Sequence, residues 1–196
     1  MPNPLLHLAV AKRYLEKNPG SIKDPQSFYD GNIMPDLAND REQSHYGDRS
    51  EVIDPIKRFR NKVCIAKFLS KNKTDTDLNK GILFHLYVDW EYYNDFLDKE
   101  YLSSVNFDEY TRDHVYTIIQ YVDFAKGYGI SHATTSFANG LDKQWREYEI
   151  ADELRWGKNF RGKLLYTREQ ITEFIERMAS TNLADLITRY KPQKTS

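Results

Sequence analysis

His85 and Asp89 stand four residues apart inside Ile82-Leu83-Phe84-His85-Leu86-Tyr87-Val88-Asp89-Trp90, a run that is otherwise apolar. On a helix, that spacing puts both polar heads on one face, and a helix apolar on all sides belongs in a core. An imidazole and a carboxylate buried there are costly unless each is hydrogen-bonded or holds a metal. Two more of the five histidines sit in similar company: His7 among Leu5, Leu6, Leu8 and Val10, and His45 after Ser44, nine residues beyond Pro35-Asp36. Nitrogen and carboxylate donors arriving from separate elements are the set that zinc, manganese or iron takes. Such an ion, with an open position, activates a bound water for hydrolysis. Asp40, a carboxylate of the same loop, is the candidate general base. Each residue also has a plainer reading: a buried ion pair for His85 and Asp89, a packed core histidine at position 7, a turn at Pro35-Asp36, a cap at Asp40.

These residues must be positioned by helices. Pro4 suits a first helical turn and opens a helix from about Leu5 to Lys17, which Pro19-Gly20 ends. Residues 21 to 54, rich in Asp, Asn, Gly and Pro, read as a long loop with one short helical turn near Phe28; loops of that length are often functional. Asp54-Pro55 starts a helix to about Ser70, with Ile56, Phe59, Val63 and Ala66 on one stripe. The buried helix runs from Leu78 to about Asp98. Another begins at Phe107 or Asp108 and reaches about Lys126. Residues 134 to 154 are helical but polar, with Asn139-Gly140 as an interruption. Trp156 to Leu165 is a basic-aromatic loop, more readily a solvated loop anchored by its rings than a phosphate or base site. Thr167 and Gln170 form a capping-box pattern for a helix to about Met178, and Leu183 to Tyr190 is the last. No period-two strand occurs, so the expected fold is an all-α multi-helix bundle: one domain over 1–190 with a frayed tail at 191–196.

The formal net charge of -1 favours neither nucleic acid nor an anionic membrane. A single cysteine, Cys64, excludes an internal disulfide and any multi-cysteine zinc motif. It fits a reducing compartment. Leu5 to Val10 is too short for a leader's apolar segment and runs directly into Lys12 and Arg13. No stretch approaches the ~20 apolar residues of a membrane span. A cytoplasmic protein without membrane anchoring is expected, acting on a small molecule or a phosphoester.

Four segments carry a resemblance to a family. Pro4-Leu5-Leu6-His7-Leu8-Ala9-Val10-Ala11-Lys12 resembles the start of the bacterial zinc-dependent phospholipase C-like hydrolases. Phe28-Tyr29-Asp30-Gly31-Asn32-Ile33-Met34-Pro35-Asp36 is similar to their Phe-Leu-x-Gly-Ser-Ile-x-Pro-Asp, Ser44-His45-Tyr46 to their Ser/Thr-His-Phe, and His85-Leu86-Tyr87-Val88-Asp89 to their His-Leu-x-x-Asp. The order is the family's and covers about residues 4 to 90. The wider superfamily, with secreted phospholipases C and single-strand nucleases, is all-α and binds up to three clustered zinc ions. The resemblance implies a first metal site of Asp36, His45, His85 and Asp89, with Asp89 bridging toward a second ion held partly by His7. At the position of a further superfamily histidine stands Asp95, and the later His-x-x-x-Glu/Asp is missing. Asp95 with Asp113 or His114 could form an altered site, but solvated surface carboxylates are the favoured reading of Asp95 and Asp113, and one or two ions, zinc or else manganese or iron, are expected. Two rivals stand beside this reading. One is a non-catalytic helical protein with a structural metal or buried ion pairs. The other, a His-Asp-dipeptide phosphohydrolase, is disfavoured because the dipeptide occurs only reversed, as Asp113-His114.

Overall fold

The computed structural model describes residues 3–47 and 63–191. Among them are ten α-helices and no strand; the single β-type contact is an isolated antiparallel bridge between Tyr46 and Val63. Helix α1 spans Pro4–Lys17, started by Asn3, whose side chain accepts the Leu6 N–H at 2.7 Å, and by Pro4, which needs no donor there. Its inward face, from Leu5 to Ala11 with Tyr14, is buried throughout.

The loop expected over 21–54 is corrected by the structure. Helix α2 spans Pro25–Leu37 and α3 spans Arg41–His45. The start signals are ordinary: the Asp24 carboxylate accepts the Ser27 N–H at 3.2 Å, and Pro25 follows it. What hides α2 is its buried face, built from Phe28, Gly31, Asn32, Ile33, Pro35 and Asp36 instead of an apolar stripe. Tertiary packing overrides the poor propensity of those residues. Asp40 caps α3 by accepting the Gln43 N–H at 3.0 Å, and Tyr46 ends it in the left-handed region at φ 59°.

Helix α4 spans Ile65–Lys71. Of the helix expected from Asp54, Ile56 and Phe59 lie outside the described residues, and Val63 is in the bridge. Helix α5 spans Asp77–Glu91 and passes into a π-helical turn, Tyr92–Phe96. Leu83 to Asp89 are all buried, as expected for a core helix. The wider turn buries Tyr92 and Tyr93 together, and their rings join Phe96, Tyr166 and Phe174. Helices α6 (Lys99–Ser104), α7 (Phe107–Gly127), α8 (Ala138–Trp156), α9 (Arg168–Ala179) and α10 (Leu183–Tyr190) follow. Asn139-Gly140 falls in the first turn of α8 and does not interrupt it. The box at Thr167 and Gln170 is present in both directions.

The centre is the crossing of α2 on α5. A Cβ on Gly31 would lie 2.0 Å from the Leu78 oxygen, and one on Gly81 2.3 Å from the Phe28 oxygen. Only hydrogens fit at this crossing, so the two backbones come into contact. The helices then run in parallel register: Phe28 lies against Gly81, the Asn32 carbonyl meets His85, and Asp36 comes level with Asp89. Helix α1 packs over this pair through Tyr14, whose ring meets Phe28 and Phe84 at 5.5 and 4.8 Å. It reaches α9 through Arg13 and Glu176 at 2.7 Å. Helix α8 is tied to α2 at its start, where Thr135 and the Ser136 N–H donate to Asp30.

Candidate metal centre

Four elements deliver five side chains to one point. His7 comes from α1, Asp36 from the last turn of α2, His45 from the end of α3, and His85 and Asp89 from successive turns of α5. All five are at most 2 % exposed. His7 Nε2 lies 3.3 Å from Asp89 Oδ1 and 4.0 Å from Asp36 Oδ2. His45 Nε2 lies 3.3 Å from Asp89 Oδ2 and 3.7 Å from Asp36 Oδ1. His85 Nε2 is 3.6 Å from Asp89 Oδ2 and 3.1 Å from His45 Nε2. Each carboxylate thus turns one oxygen to His7 and the other to His45.

Protons decide what this cluster is. The Asn32 carbonyl can only accept, so at 2.8 Å it takes the proton of His85 Nδ1, and His85 Nε2 faces the cluster as a lone pair. The Ser44 hydroxyl donates to the Pro35 carbonyl at 2.9 Å and receives His45 Nδ1 at 2.9 Å, which turns the His45 Nε2 lone pair the same way. Two imidazole lone pairs at 3.1 Å repel unless a cation lies between them. Burial, with His7 adding to it, pushes the His85 imidazole down to about 3, so it is neutral at ordinary pH. Burial opposes ionisation of Asp89, yet the imidazoles of His85, His45 and His7 outweigh that and hold its carboxyl well below the usual range. Neither oxygen of Asp36 or Asp89, nor either nitrogen of His7, has a well-formed hydrogen bond. A buried carboxylate beside the neutral imidazole of His85, without a well-formed hydrogen bond, is short of positive charge.

A divalent cation supplies that charge. Donors at 2.0–2.2 Å around a tetrahedral ion are about 3.3–3.6 Å apart, and most of the separations above lie close to that range. The donors group as two overlapping triads, His7 with His85 and Asp89, and Asp36 with His45 and His85. The orienting contacts from Asn32 and Ser44 are the kind that fix imidazole ligands of metals. His7 stacks on His85 with ring centres 3.9 Å apart. The residues present fit a metal ion.

The remaining candidates do not join the cluster. Asp40 is exposed and engaged as the cap of α3. Asp95 is exposed and paired with Arg177. Asp113 is buried but occupied: it accepts from Tyr101 Oη at 2.7 Å and from the Lys163 N–H at 3.0 Å, tying the 156–165 loop to α7. His114 stacks on Tyr110. That loop is anchored by its rings, with Trp156 against Phe160 and Lys163 over Tyr101. Trp90 meets Tyr190 at 6.0 Å. A surface cavity of about 390 Å³ is lined by Lys12, Arg13 and Glu16 of α1, by Gly127, Tyr128 and Gly129 at and just beyond the end of α7, and by Glu176 of α9, and by none of the five donors. Asn32 and Ser44 escaped the sequence reading. For Asn32 a signal existed: Asn32-x-x-x-Asp36 repeats the spacing of His85-x-x-x-Asp89.

The proton inventory sets a pH dependence for the metal-free protein. Below 6.5 the unfolded chain binds a proton at His85 that the folded chain refuses until about 3. Stability is therefore full above 6.5 and falls as the pH drops through that window. Asp89, held low, acts in the same direction, its contribution being lost as pH falls below 3.8. Melting temperatures measured in chelator should decline from pH 6.5 toward 4, and His85→Gln should flatten part of that slope. An equal slope in wild type and variant would contradict the burial of a neutral His85.

No protein-family model matches the chain, and neither a curated protein nor a solved structure matches it. Among the described residues, no helix is long and apolar enough to cross a membrane.

Proposed function

We propose that the protein is a metal-dependent hydrolase, most simply a zinc-dependent phosphoesterase similar to the phospholipase C-like hydrolases. The observation that carries this is the convergence of His7, Asp36, His45, His85 and Asp89 as buried electron-pair donors. The four segments resembling that family contain all five residues in the family's order, and the structure brings all five together. The first ion would be held by Asp36, His45, His85 and Asp89. His7, beside Asp89, would help to hold a second. A bound divalent ion lowers the pKa of coordinated water and offsets charge on phosphoryl oxygens. Asn32 and Ser44 keep the imidazole lone pairs aimed at the site. Asp40, engaged as the cap of α3, is not placed to accept a proton from the attacking water.

A structural metal is the second reading, favoured by the complete burial of His7, His85 and Asp89. Hydrolysis separates the two. Zinc- or manganese-loaded protein is expected to cleave p-nitrophenyl phosphate or bis(p-nitrophenyl) phosphate, to lose that activity in chelator, and to recover it on metal return. Turnover of neither ester by fully loaded protein, with stability still metal-dependent, would favour the structural reading.

A further inference from the structure

Asn32 is fully buried, and neither the oxygen nor the nitrogen of its carboxamide has a partner. Buried amides are almost always hydrogen-bonded, because an unmet one forfeits its hydration for nothing. The missing partner is indicated by position. Asn32 lies one turn before Asp36 on the same face of α2, and helical side chains tilt toward the N-terminus, so the Asp36 carboxylate leans over the Asn32 turn. Across the seam, the Asn32 carbonyl holds His85 Nδ1. Asn32 thus touches His85 through its backbone carbonyl and stands one turn from Asp36, which leaves its carboxamide uncommitted.

The five donors offer electron pairs to a cation and no hydrogen-bond donor to an anion drawn to it. No lysine or arginine is among the described buried residues; the buried polar set is His7, Asn32, Asp36, His45, His85, Asp89, Glu91, Asp113, Thr117 and Thr135. Asn32 is the neutral N–H donor beside the cluster, and it neither repels a cation nor competes for it. We propose that the Asn32 carboxamide is an anion-binding residue whose N–H group donates to a phosphoryl oxygen of the substrate. Charge developing on that oxygen during attack would strengthen the bond. This rests on the hydrolase reading above, and it names the substrate class as one with an anionic, tetrahedral oxygen centre.

The test is titration of inorganic phosphate into zinc-loaded wild type, Asn32→Ala and Asn32→Leu, with metal content and melting temperature measured beside it. Both variants are expected to keep wild-type metal, since the contact to His85 is a backbone one. They should bind phosphate roughly tenfold or more weakly, as loss of a hydrogen bond to a charged group implies, and should melt no lower in chelator than wild type. Turnover of a phosphoester should fall by about 10²–10³-fold. Unchanged phosphate affinity at unchanged metal content overturns the role of Asn32 and leaves the metal reading standing. Loss of metal in both variants makes Asn32 a support of the site and also overturns it. Zinc-loaded wild type that binds no phosphate overturns this proposal together with the phosphoesterase reading.

Discussion

Asp89→Ala is expected to strip the protein of metal. Asp89 is fully buried, and its two oxygens face different histidines, Oδ1 toward His7 and Oδ2 toward His45 and His85. It is the carboxylate that approaches all three histidines, at 3.3–3.6 Å, and once it is removed only Asp36 remains, at 3.7 Å from His45 and 4.0 Å from His7. Losing an outer-shell partner of a ligand typically costs 10–100-fold in metal affinity. Loss of a carboxylate shared by every histidine in the centre should cost at least about 100-fold. Metal content should drop from about one ion or more per chain to a small fraction of one, and added zinc should no longer raise the melting temperature. Asp89→Asn, which keeps the shape and an oxygen donor but not the charge, should fall between. Wild-type metal content in Asp89→Ala would remove Asp89 from the centre.

Gly81→Ala should, with Gly31→Ala, be among the most damaging single methyls at the described residues. Its Cβ would lie 2.3 Å from the Phe28 oxygen and 3.0 Å from the Asn32 nitrogen, both backbone atoms that no rotamer change can move. The α2–α5 seam must open. Overpacking of this kind costs about 1–3 kcal/mol and occasionally more. With backbone on the receiving side, the upper end applies, or a fall in melting temperature of roughly 10 °C for a chain of this size. The seam also carries the Asn32 carbonyl to His85 Nδ1 and brings Asp36 level with Asp89, so metal binding should weaken with stability. Gly140→Ala is the control: a Cβ there meets nothing within 4 Å, in the first turn of α8, and it should be neutral or slightly stabilising. Equal melting temperatures for the two variants would contradict the close crossing.

Much of the helical frame was legible because its signals are local. Pro4 after Asn3, the Thr167–Gln170 box, and the apolar run around His85 each declare themselves within a few residues. Helix α2 was not legible, for an instructive reason. Its buried face consists of residues chosen for the centre and the crossing, namely Gly31, Asn32 and Asp36, so the segment lacks the apolar period by which helices are recognised. The same functional demand that made Asp36 a candidate concealed the element presenting it. The π-helical turn after Glu91 was likewise invisible, because one residue of extra winding leaves the tyrosine-rich pattern unchanged. Of the candidate site residues, the five whose polar atoms sit in apolar or motif-bearing surroundings converge. Of the residues put forward for an altered second site, Asp95 and Asp113 take partners that only the tertiary fold supplies, Arg177 and Tyr101 with Lys163, while His114 stacks on Tyr110 one turn earlier on its own helix. The spacing Asn32-x-x-x-Asp36 hints at Asn32, but its unmet carboxamide is visible only in the fold.

The central claim is that the five buried donors hold a metal ion, and metal analysis of protein purified without chelator, joined to X-ray absorption at the edge of the metal found, tests it most directly. One or two zinc, manganese or iron ions per chain are predicted, with histidine nitrogen in the first shell, at about 2.0–2.1 Å for zinc. A protein that emerges metal-free, and whose melting temperature ignores added zinc, manganese and iron, would contradict it.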